Sequence, residues 1–135
     1  MAQAVSIQEF NGWDNPAFNG VQKIKWSWTS LADGTVIASS AAGENPTTVN
    51  KYSGKVIRLI TNPGDGTDAP SDNYGVTILD EDGYDVLMGG GLLRDTANTE
   101  QVLEASLGIC QDSKLSLRIA AAGDANKGVV ILYIR

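Results

Sequence analysis

The chain has 135 residues, of which 42% are hydrophobic and 19% charged, and a formal net charge of -6. This length suits one domain whose core needs no metal or disulfide, and an acidic chain without a Lys/Arg run lacks the counterion release that drives nucleic-acid binding. We therefore expect one domain and no nucleic-acid partner, and the low charged share suggests a surface partly covered by other subunits.

The N-terminal stretch has neither the basic and apolar regions of a signal peptide nor an apolar run of about 18 residues, so we expect no secretion signal and no membrane contact. Its beginning, AVSIQEF, is a strand candidate, whereas NGWDNPAFNG is irregular. We expect residues 1–20 to form an N-terminal arm or extension and residues 21–135 to form the β domain. Aromatic side chains commonly anchor interfaces, so Phe10, Trp13 and Phe18 are the candidate partner-binding residues.

The clearest strand signal is VQKIKWSWTS, in which Ile24, Trp26 and Trp28 alternate with polar residues. KLSLRIA repeats this period, with Leu117 at the centre of its apolar face. Both segments predict half-buried strands with Trp26 and Leu117 in the core. Because aromatic faces also stack on sugars, a carbohydrate-binding platform at Trp26 and Trp28 stays open as the alternative to core packing.

Three further segments indicate strands. GTVIASS follows an Ala-Asp-Gly turn, and GKVIRLITNP and GVVILYIR carry apolar residues at both odd and even positions. That double pattern is typical of strands covered on both faces, or covered on one face by a neighbouring subunit. Turn residues recur about every ten residues, which predicts an all-β, single-domain antiparallel β-sandwich or small β-barrel.

Three segments are not clear strands. ASSAAGENPTTVNKYSG and NPGDGTDAPSDN are rich in turn-forming residues and predict long loops, which in compact domains often serve as binding arms. DTANTEQVLEASLGI allows a helix, since Val102, Leu103 and Leu107 lie about one helical turn apart. A strand or an irregular crossing is the alternative for this segment, and the sequence leaves both open.

Four carboxylates crowd the middle of NYGVTILDEDGYDVLMGGG, and three of them, Asp80, Asp82 and Asp85, are the candidate acids. Hard cations bind such clusters, but an EF-hand loop needs a Glu six residues after its glycine, and Gly89 occupies that position. Paired carboxylates also serve glycoside hydrolysis, although acids on an exposed turn are usually only solvated. Asp-Gly between β-forming segments is a strong hairpin signal, so we interpret the cluster as a structural turn.

The sequence offers no catalytic constellation. Histidine is absent, which removes Ser-His-Asp, Cys-His and imidazole-zinc sites within one chain. The single cysteine, Cys110, lies in the apolar stretch ASLGICQDS and predicts an inert buried thiol. We therefore expect that the protein is not an enzyme and that it has no catalytic residue, cofactor or tightly bound metal.

Three segments together carry a family resemblance: VQKIKWSWTSLADGTV, then YSGKVIRLITNPGDGTDAPSDNYGVTILDEDGYDVLMGGGLLRDTANTEQV, then GDANKGVVILYIR. Their order resembles small virion structural proteins of tailed bacteriophages. The shared features are a strand ending in Trp-Thr-Ser before a Gly turn, an Asn-Tyr-x-Val-Thr strand with an Asp-Glu-Asp-Gly hairpin, and a closing Gly-x-Val-x-x-Tyr-Ile-Arg strand. The resemblance covers about Val21 to Arg135.

The resemblance implies a component of a phage particle, made in the bacterial host cytoplasm. Within that class we expect a capsid decoration or cement protein on the capsid surface, which binds the major capsid protein lattice and stabilises the head. Sister subunits are the second expected partner, in a homo-oligomer that we expect to be a trimer. A head-tail connector or tail component of the same virion is the alternative, and a carbohydrate-binding module is the alternative from another class.

Overall fold

The computed structural model describes residues 3–10, 20–38 and 45–135, and within these ranges the chain forms eight β-strands. The strands are Ala4–Phe10 (β1), Gln22–Thr29 (β2), Tyr52–Pro63 (β3), Gly75–Leu79 (β4), Glu100–Leu103 (β5), Ile109–Ser113 (β6), Ser116–Ala120 (β7) and Lys127–Ile134 (β8). Helical structure in the same ranges is limited to the 3-10 turns Gly66–Asp68 and Glu104–Ser106. No helix there is long and apolar enough to cross a bilayer. The all-β prediction is confirmed.

The strands form two antiparallel sheets. The larger sheet has the order β1-β2-β8-β3-β5, with β6 also paired to β3, and the smaller sheet consists of β4 and β7. Trp26 of β2 stands opposite Ile7 of β1 and Val130 of β8. Because side chains alternate along a strand, this register gathers the apolar residues of β1, β2 and β8 on one face of the larger sheet.

The core lies where this apolar face meets the smaller sheet. Trp26 and Leu132 from the larger sheet and Ile78 and Leu117 from the smaller sheet are fully buried and belong to one hydrophobic cluster. The indole N–H of Trp26 donates to the Pro46 carbonyl at 2.8 Å, so this buried donor is satisfied. The predicted burial of Trp26 and Leu117 is confirmed.

The segment DTANTEQVLEASLGI, for which a helix was one reading, contains β5, the second 3-10 turn and the start of β6. β5 and β6 follow one another along one edge of β3, whose other edge pairs with β8. The Lys55 ammonium of β3 donates to the backbone carbonyls of Glu104, Leu107 and Gly108. These long-range bonds hold the crossing between β5 and β6 in its irregular path.

The prediction of a strand at GTVIASS is wrong for the part that the structure describes, residues 34–38. Of its described part, only Val36 makes a ladder contact, as a single antiparallel bridge to Ile119. The next residue, Ile37, pairs instead with a side chain: its N–H donates to Gln3 Oε1 at 2.9 Å and its carbonyl accepts from Gln3 Nε2 at 2.8 Å. The Gln3 amide thus takes the place of a neighbouring strand.

Strand β8, in GVVILYIR, was expected to be covered on both faces or on one face by another subunit. Within this chain its inward residues, such as Leu132, are buried, whereas Ile131 and Tyr133 on the outward side are partly exposed. β3 behaves in the same way, with Leu59 buried and Ile60 partly exposed. The outward face of the larger sheet is therefore apolar at its centre and is not covered by the described part of this chain.

The N-terminal residues that the structure describes do not form an irregular arm. β1 is the edge strand of the larger sheet, and its Val5 and Ile7 pack against the core. The Glu9 carboxylate accepts hydrogen bonds from the Val49 N–H, the Asn50 N–H and the Tyr52 hydroxyl, which ties β1 to the start of β3 and to the residues just before it. The strand candidate AVSIQEF is confirmed, and β1 belongs to the domain that was expected to begin at residue 21.

Candidate functional site

The acidic cluster is a turn whose carboxylates bind backbone amides. The Asp80 N–H donates to the Tyr84 carbonyl at 2.9 Å, and Gly83 supplies the left-handed backbone at φ 88°. Asp80 Oδ1 accepts from the Asp82 and Tyr84 N–H groups, while Asp85 accepts from three N–H groups, including those of Ile78 and Gly89. Two of the three predicted acidic residues thus stabilise the turn itself, as the hairpin interpretation expects.

The described residues contain no group of three or more His, Cys, Asp or Glu side chains placed to hold a metal. Cys110 is buried, and its burial together with the nearby Asp80 carboxylate raises the pKa of the thiol to about 11. A thiol with such a pKa is almost entirely protonated at neutral pH and is a poor nucleophile. This agrees with the expectation of an inert cysteine.

The aromatic candidates differ in where they lie. Trp26 and Trp28 are both core residues, so neither offers an exposed ring for stacking on a sugar. Phe10 ends β1 and is partly exposed on the outward face of the larger sheet. Trp13 and Phe18 lie outside the described residues. Of the three predicted partner-binding residues, the structure therefore locates Phe10.

A row of outward side chains crosses all five strands of the larger sheet's main path: Phe10, Lys23, Tyr133, Arg58 and Leu103. Lys23 Nζ lies 5.2 Å from the Phe10 ring centroid and 5.8 Å from that of Tyr133. Arg58 Cζ lies 5.8 Å from the Tyr133 centroid. Cations and aromatic rings thus alternate along the row, and each cation is held over a ring by cation–π attraction.

The next row of the same face contains Gln8, Lys25, Ile131, Ile60 and Gln101. Neither row contains a carboxylate, although the chain as a whole carries a net charge of -6. We call these two rows the basic face. This face is apolar at its centre and carries a local positive charge. It is therefore suited to contact an acidic and partly apolar surface.

A recess opens at one end of the basic face. It has a volume of about 400 Å³ and is lined by Val21, Lys23, Ile57, Arg58 and Tyr133. Ile57 lies at the register shift between Val56 and Arg58, a β-bulge that bends β3 locally. The recess therefore has apolar walls between two cations and room for one or two apolar side chains.

A second exposed surface follows β4 in the smaller sheet. The segment 80–93, which we call the acidic tip, exposes Tyr84 and Met88 at 74% each and Leu93 at 69%. Its carboxylates include the exposed Glu81 and Asp82. Lys51 Nζ lies 3.9 Å from Glu81 Oε2, and both of these side chains are exposed to solvent. Such an exposed pair contributes little, so the tip remains acidic as well as apolar.

Two exposed residues of the acidic tip hold unusual backbone conformations. Met88 has φ 51° and Leu93 has φ 59°, both in the left-handed region that large side chains rarely adopt. Successive turn hydrogen bonds fix this path, among them Gly90 N–H to the Leu87 carbonyl at 2.8 Å. A strained backbone that displays apolar side chains to solvent is typical of a binding surface.

The sequence carried part of the signal for these surfaces. Lys23 and Lys25 follow from the alternation in VQKIKWSWTS, and an uncovered face follows from the double apolar pattern of GVVILYIR. The recess and the displayed Met88 and Leu93 had no such signal. The recess depends on a β-bulge and on strand neighbours distant in the sequence. The display of Met88 and Leu93 depends on the successive turns of residues 86–93, where the composition after the Asp-Gly turn indicates a β-forming segment.

Comparison of the chain with protein-family models, with curated proteins and with solved structures finds no match.

Proposed function

We propose that this chain is a structural protein of a tailed-bacteriophage particle, a decoration or cement protein that binds the major capsid protein lattice and stabilises the head. The resemblance of residues 21–135 suggests the class. The observation that carries the proposal is that one sandwich presents two exposed surfaces, the basic face on its larger sheet and the acidic tip on its smaller sheet. A protein that links neighbours in a lattice needs at least two such exposed, partly apolar surfaces.

A decoration protein acts through contact rather than through chemistry. By binding across neighbouring capsid subunits it adds interface that must be separated before the shell opens, so the bound state stabilises the assembled state. We propose that Phe10, Trp13 and Phe18 contact the major capsid protein on the capsid surface. Phe10 is partly exposed where β1 ends, beside Lys23 of the basic face. Sister subunits complete the assembly, with a trimer as the proposed oligomer.

A head-tail connector or tail component of the same virion is the second candidate, because it also requires two contact surfaces on a rigid domain. The two differ in copy number, since a capsid lattice offers many equivalent positions and a connector ring few. The carbohydrate-binding alternative loses the feature that favoured it, because Trp26 and Trp28 are buried.

The direct test is to purify the particles made by cells that carry this gene and to count copies of the chain per particle by quantitative mass spectrometry. A decoration protein should be present in at least about a hundred copies, and a connector in about a dozen, as closed symmetric rings imply. Particles that contain none of the chain would refute both virion roles.

The proposed capsid contact has its own variant. Particles lacking the protein are mixed with purified chain carrying Trp13→Ala and Phe18→Ala, and bound protein is measured by co-sedimentation. We expect binding weakened at least about tenfold, the usual loss when aromatic anchors are truncated. Val49→Ala, which truncates an apolar side chain that is 78% exposed, is the control and should bind as the natural sequence does. Unchanged binding by the double variant would exclude this contact.

A further inference from the structure

We propose that copies of this chain join head to tail, with the acidic tip of one copy bound at the recess on the basic face of the next, a part of that face that Phe10 does not line. The inference deepens the proposed assembly of sister subunits and rests on that part of the proposed function. It names both contact surfaces and the kind of symmetry that they generate.

Charge selects this pairing. The basic face carries Lys23, Lys25 and Arg58 with no carboxylate in its two rows, while the acidic tip carries the exposed Glu81 and Asp82. Two basic faces brought together would oppose cation to cation, and two tips would oppose carboxylate to carboxylate. Like charges at a contact are strongly unfavourable, so each surface repels its own kind and attracts the other.

Shape and apolar character agree with the charges. The tip displays Tyr84, Met88 and Leu93, and the left-handed backbone at Met88 and Leu93 holds the last two outward. The recess of about 400 Å³ on the basic face has apolar walls and a cation on either side. This volume has room for one or two tip side chains, and Lys23 and Arg58 beside it are the cations available to the carboxylates of the tip.

A single chain cannot satisfy both surfaces by itself. The acidic tip continues from β4 of the smaller sheet, whereas the basic face is the outward side of the larger sheet, away from the core between them. Contact between two different surfaces is heterologous, and it produces a closed ring or an open filament rather than a two-fold dimer. A three-membered ring is the closed form that agrees with the proposed trimer.

The test uses charge reversal on each surface separately and on both together. The face variant carries Lys23→Glu and Arg58→Glu, and the tip variant carries Glu81→Lys and Asp82→Lys. All four side chains are on the surface of the fold, and circular dichroism verifies that each variant is folded. Sedimentation velocity at micromolar to 100 micromolar concentration measures association, and the natural sequence should self-associate more weakly in about 1 M salt, which screens charge without any substitution.

Each single-surface variant should lose self-association by at least about tenfold, because it opposes like charges at the contact. The variant reversed on both surfaces should associate again, and so should a mixture of the two single-surface variants. Asp124→Lys, which reverses an exposed carboxylate between β7 and β8, is the control and should associate as the natural sequence does.

Several results would overturn the inference. A face-to-face dimer would leave the tip variant associated, a tip-to-tip dimer would leave the face variant associated, and an unrelated interface would not be restored by double reversal. A natural sequence that stays monomeric at 100 micromolar would remove the oligomer as well. Particle binding is measured separately on the same variants, so a failure of the head-to-tail contact leaves the capsid-binding proposal to be judged on its own result.

Discussion

Trp28 illustrates how close the packing of this core is at the level of single residues. Its ring contacts Tyr74, with ring centroids 5.8 Å apart and planes tilted by 50°. The indole of Trp28 also lies over Gly128 of the neighbouring strand β8. A Cβ added at Gly128 would stand 2.6 Å from the indole Cζ2. A side chain at residue 128 would therefore displace the indole, and glycine is required by space rather than by backbone conformation.

We expect Gly128→Ala to lower the free energy of unfolding by about 1 to 3 kcal/mol, the usual effect of overpacking a dense core. Gly75→Ala is the matched control, because its Cβ would meet only the Leu92 side chain at an ordinary 3.4 Å. Urea denaturation followed by tryptophan fluorescence measures both. Equal stability of the two variants would mean that the indole moves aside at no cost.

Two buried tyrosines differ in what their hydroxyl groups do. The Tyr52 hydroxyl donates to Glu9 Oε1 at 2.8 Å, whereas the Tyr74 hydroxyl is buried with no hydrogen-bond partner in the described structure. The side chain of Thr61 lies near the Tyr74 phenol without the geometry of a hydrogen bond. Burying a polar group without a partner costs free energy, so the two hydroxyls have opposite effects on stability.

We therefore expect Tyr74→Phe to be neutral at pH 7 or to stabilise the fold by up to about 1 kcal/mol. Tyr52→Phe should instead cost about 1 to 2 kcal/mol, because it removes a hydrogen bond to a carboxylate. Thermal and urea unfolding of the two variants give the comparison. A destabilising Tyr74→Phe would indicate that its hydroxyl finds a partner in solution.

At the scale of elements, alternation made β2 and β7 predictable, because each has one covered face and a strict period of two. The crossing between β5 and β6 was not predictable, since the apolar spacing of Val102, Leu103 and Leu107 also fits a helix. The pairing of both strands with β3 fixes this segment, and the Lys55 ammonium adds hydrogen bonds from β3 to three carbonyls about fifty positions away in sequence. A hydrogen bond between residues so far apart leaves no pattern in the local sequence.

Removing this ammonium tests its role. Lys55→Met keeps the aliphatic stem and removes the charged donor. The Glu104 and Gly108 carbonyls still accept from the backbone N–H groups of Leu107 and Val56, whereas the Leu107 carbonyl loses its donor. We therefore expect a loss of about 1 to 3 kcal/mol in unfolding free energy. Lys51→Met is the control, since Lys51 makes only the exposed 3.9 Å contact with Glu81 and should change stability by less than about 1 kcal/mol. Hydrogen exchange should show faster exchange at Leu107 and Gly108 in the Lys55 variant alone.

The N-terminal strand was predicted from AVSIQEF, but its place in the domain was not. The irregular NGWDNPAFNG suggested an arm over residues 1–20, whereas β1 pairs with β2 along its whole length of 7 residues and brings Glu9 to the chain around the start of β3. Whether an edge strand joins a sheet depends on a partner strand, here β2, and on long-range bonds such as those of Glu9. Those bonds connect residues about forty positions apart, so they leave no periodic pattern in the sequence.

Deleting residues 1–10 should therefore do more than remove a binding segment. We expect a lower urea midpoint and concentration-dependent aggregation, because β2 becomes an exposed edge with unpaired backbone groups. Removal of residues 1–2 alone is the control and should leave the midpoint unchanged. Light scattering and urea denaturation distinguish this outcome from a dispensable arm, for which the longer deletion would behave as the control does.

For the whole molecule, the two-layer arrangement sets both the core and the two surfaces. The smaller sheet covers one side of the larger sheet, which leaves the basic face outward and carries the acidic tip on the other layer. The layer order also brings Tyr52, Tyr74 and Cys110 into one buried cluster with the tryptophans. All three are acids that ionise at high pH, so the fold as a whole should be sensitive to alkali.

Burial raises the pKa of Tyr74 to about 12 and that of Cys110 to about 11, and burial with the adjacent Glu9 carboxylate raises the pKa of Tyr52 further. In the unfolded chain these groups ionise at about pH 8.5 to 10. Because the folded pKa values are the higher ones, the unfolded state loses protons first as the pH rises. Their contribution to stability is complete below about pH 8 and falls progressively through the folded pKa values.

We expect the free energy of unfolding to fall by about 4 kcal/mol between pH 8 and pH 10.5, measured as urea midpoints at constant ionic strength. Cys110→Ala should remove the earliest part of that fall, which begins near the pKa of an unfolded thiol, and Tyr74→Phe should reduce only the part above about pH 10. The order of the two effects follows from the order of the unfolded pKa values. A stability that stays level to pH 10.5 would mean that these groups ionise in the folded chain as readily as in the unfolded one.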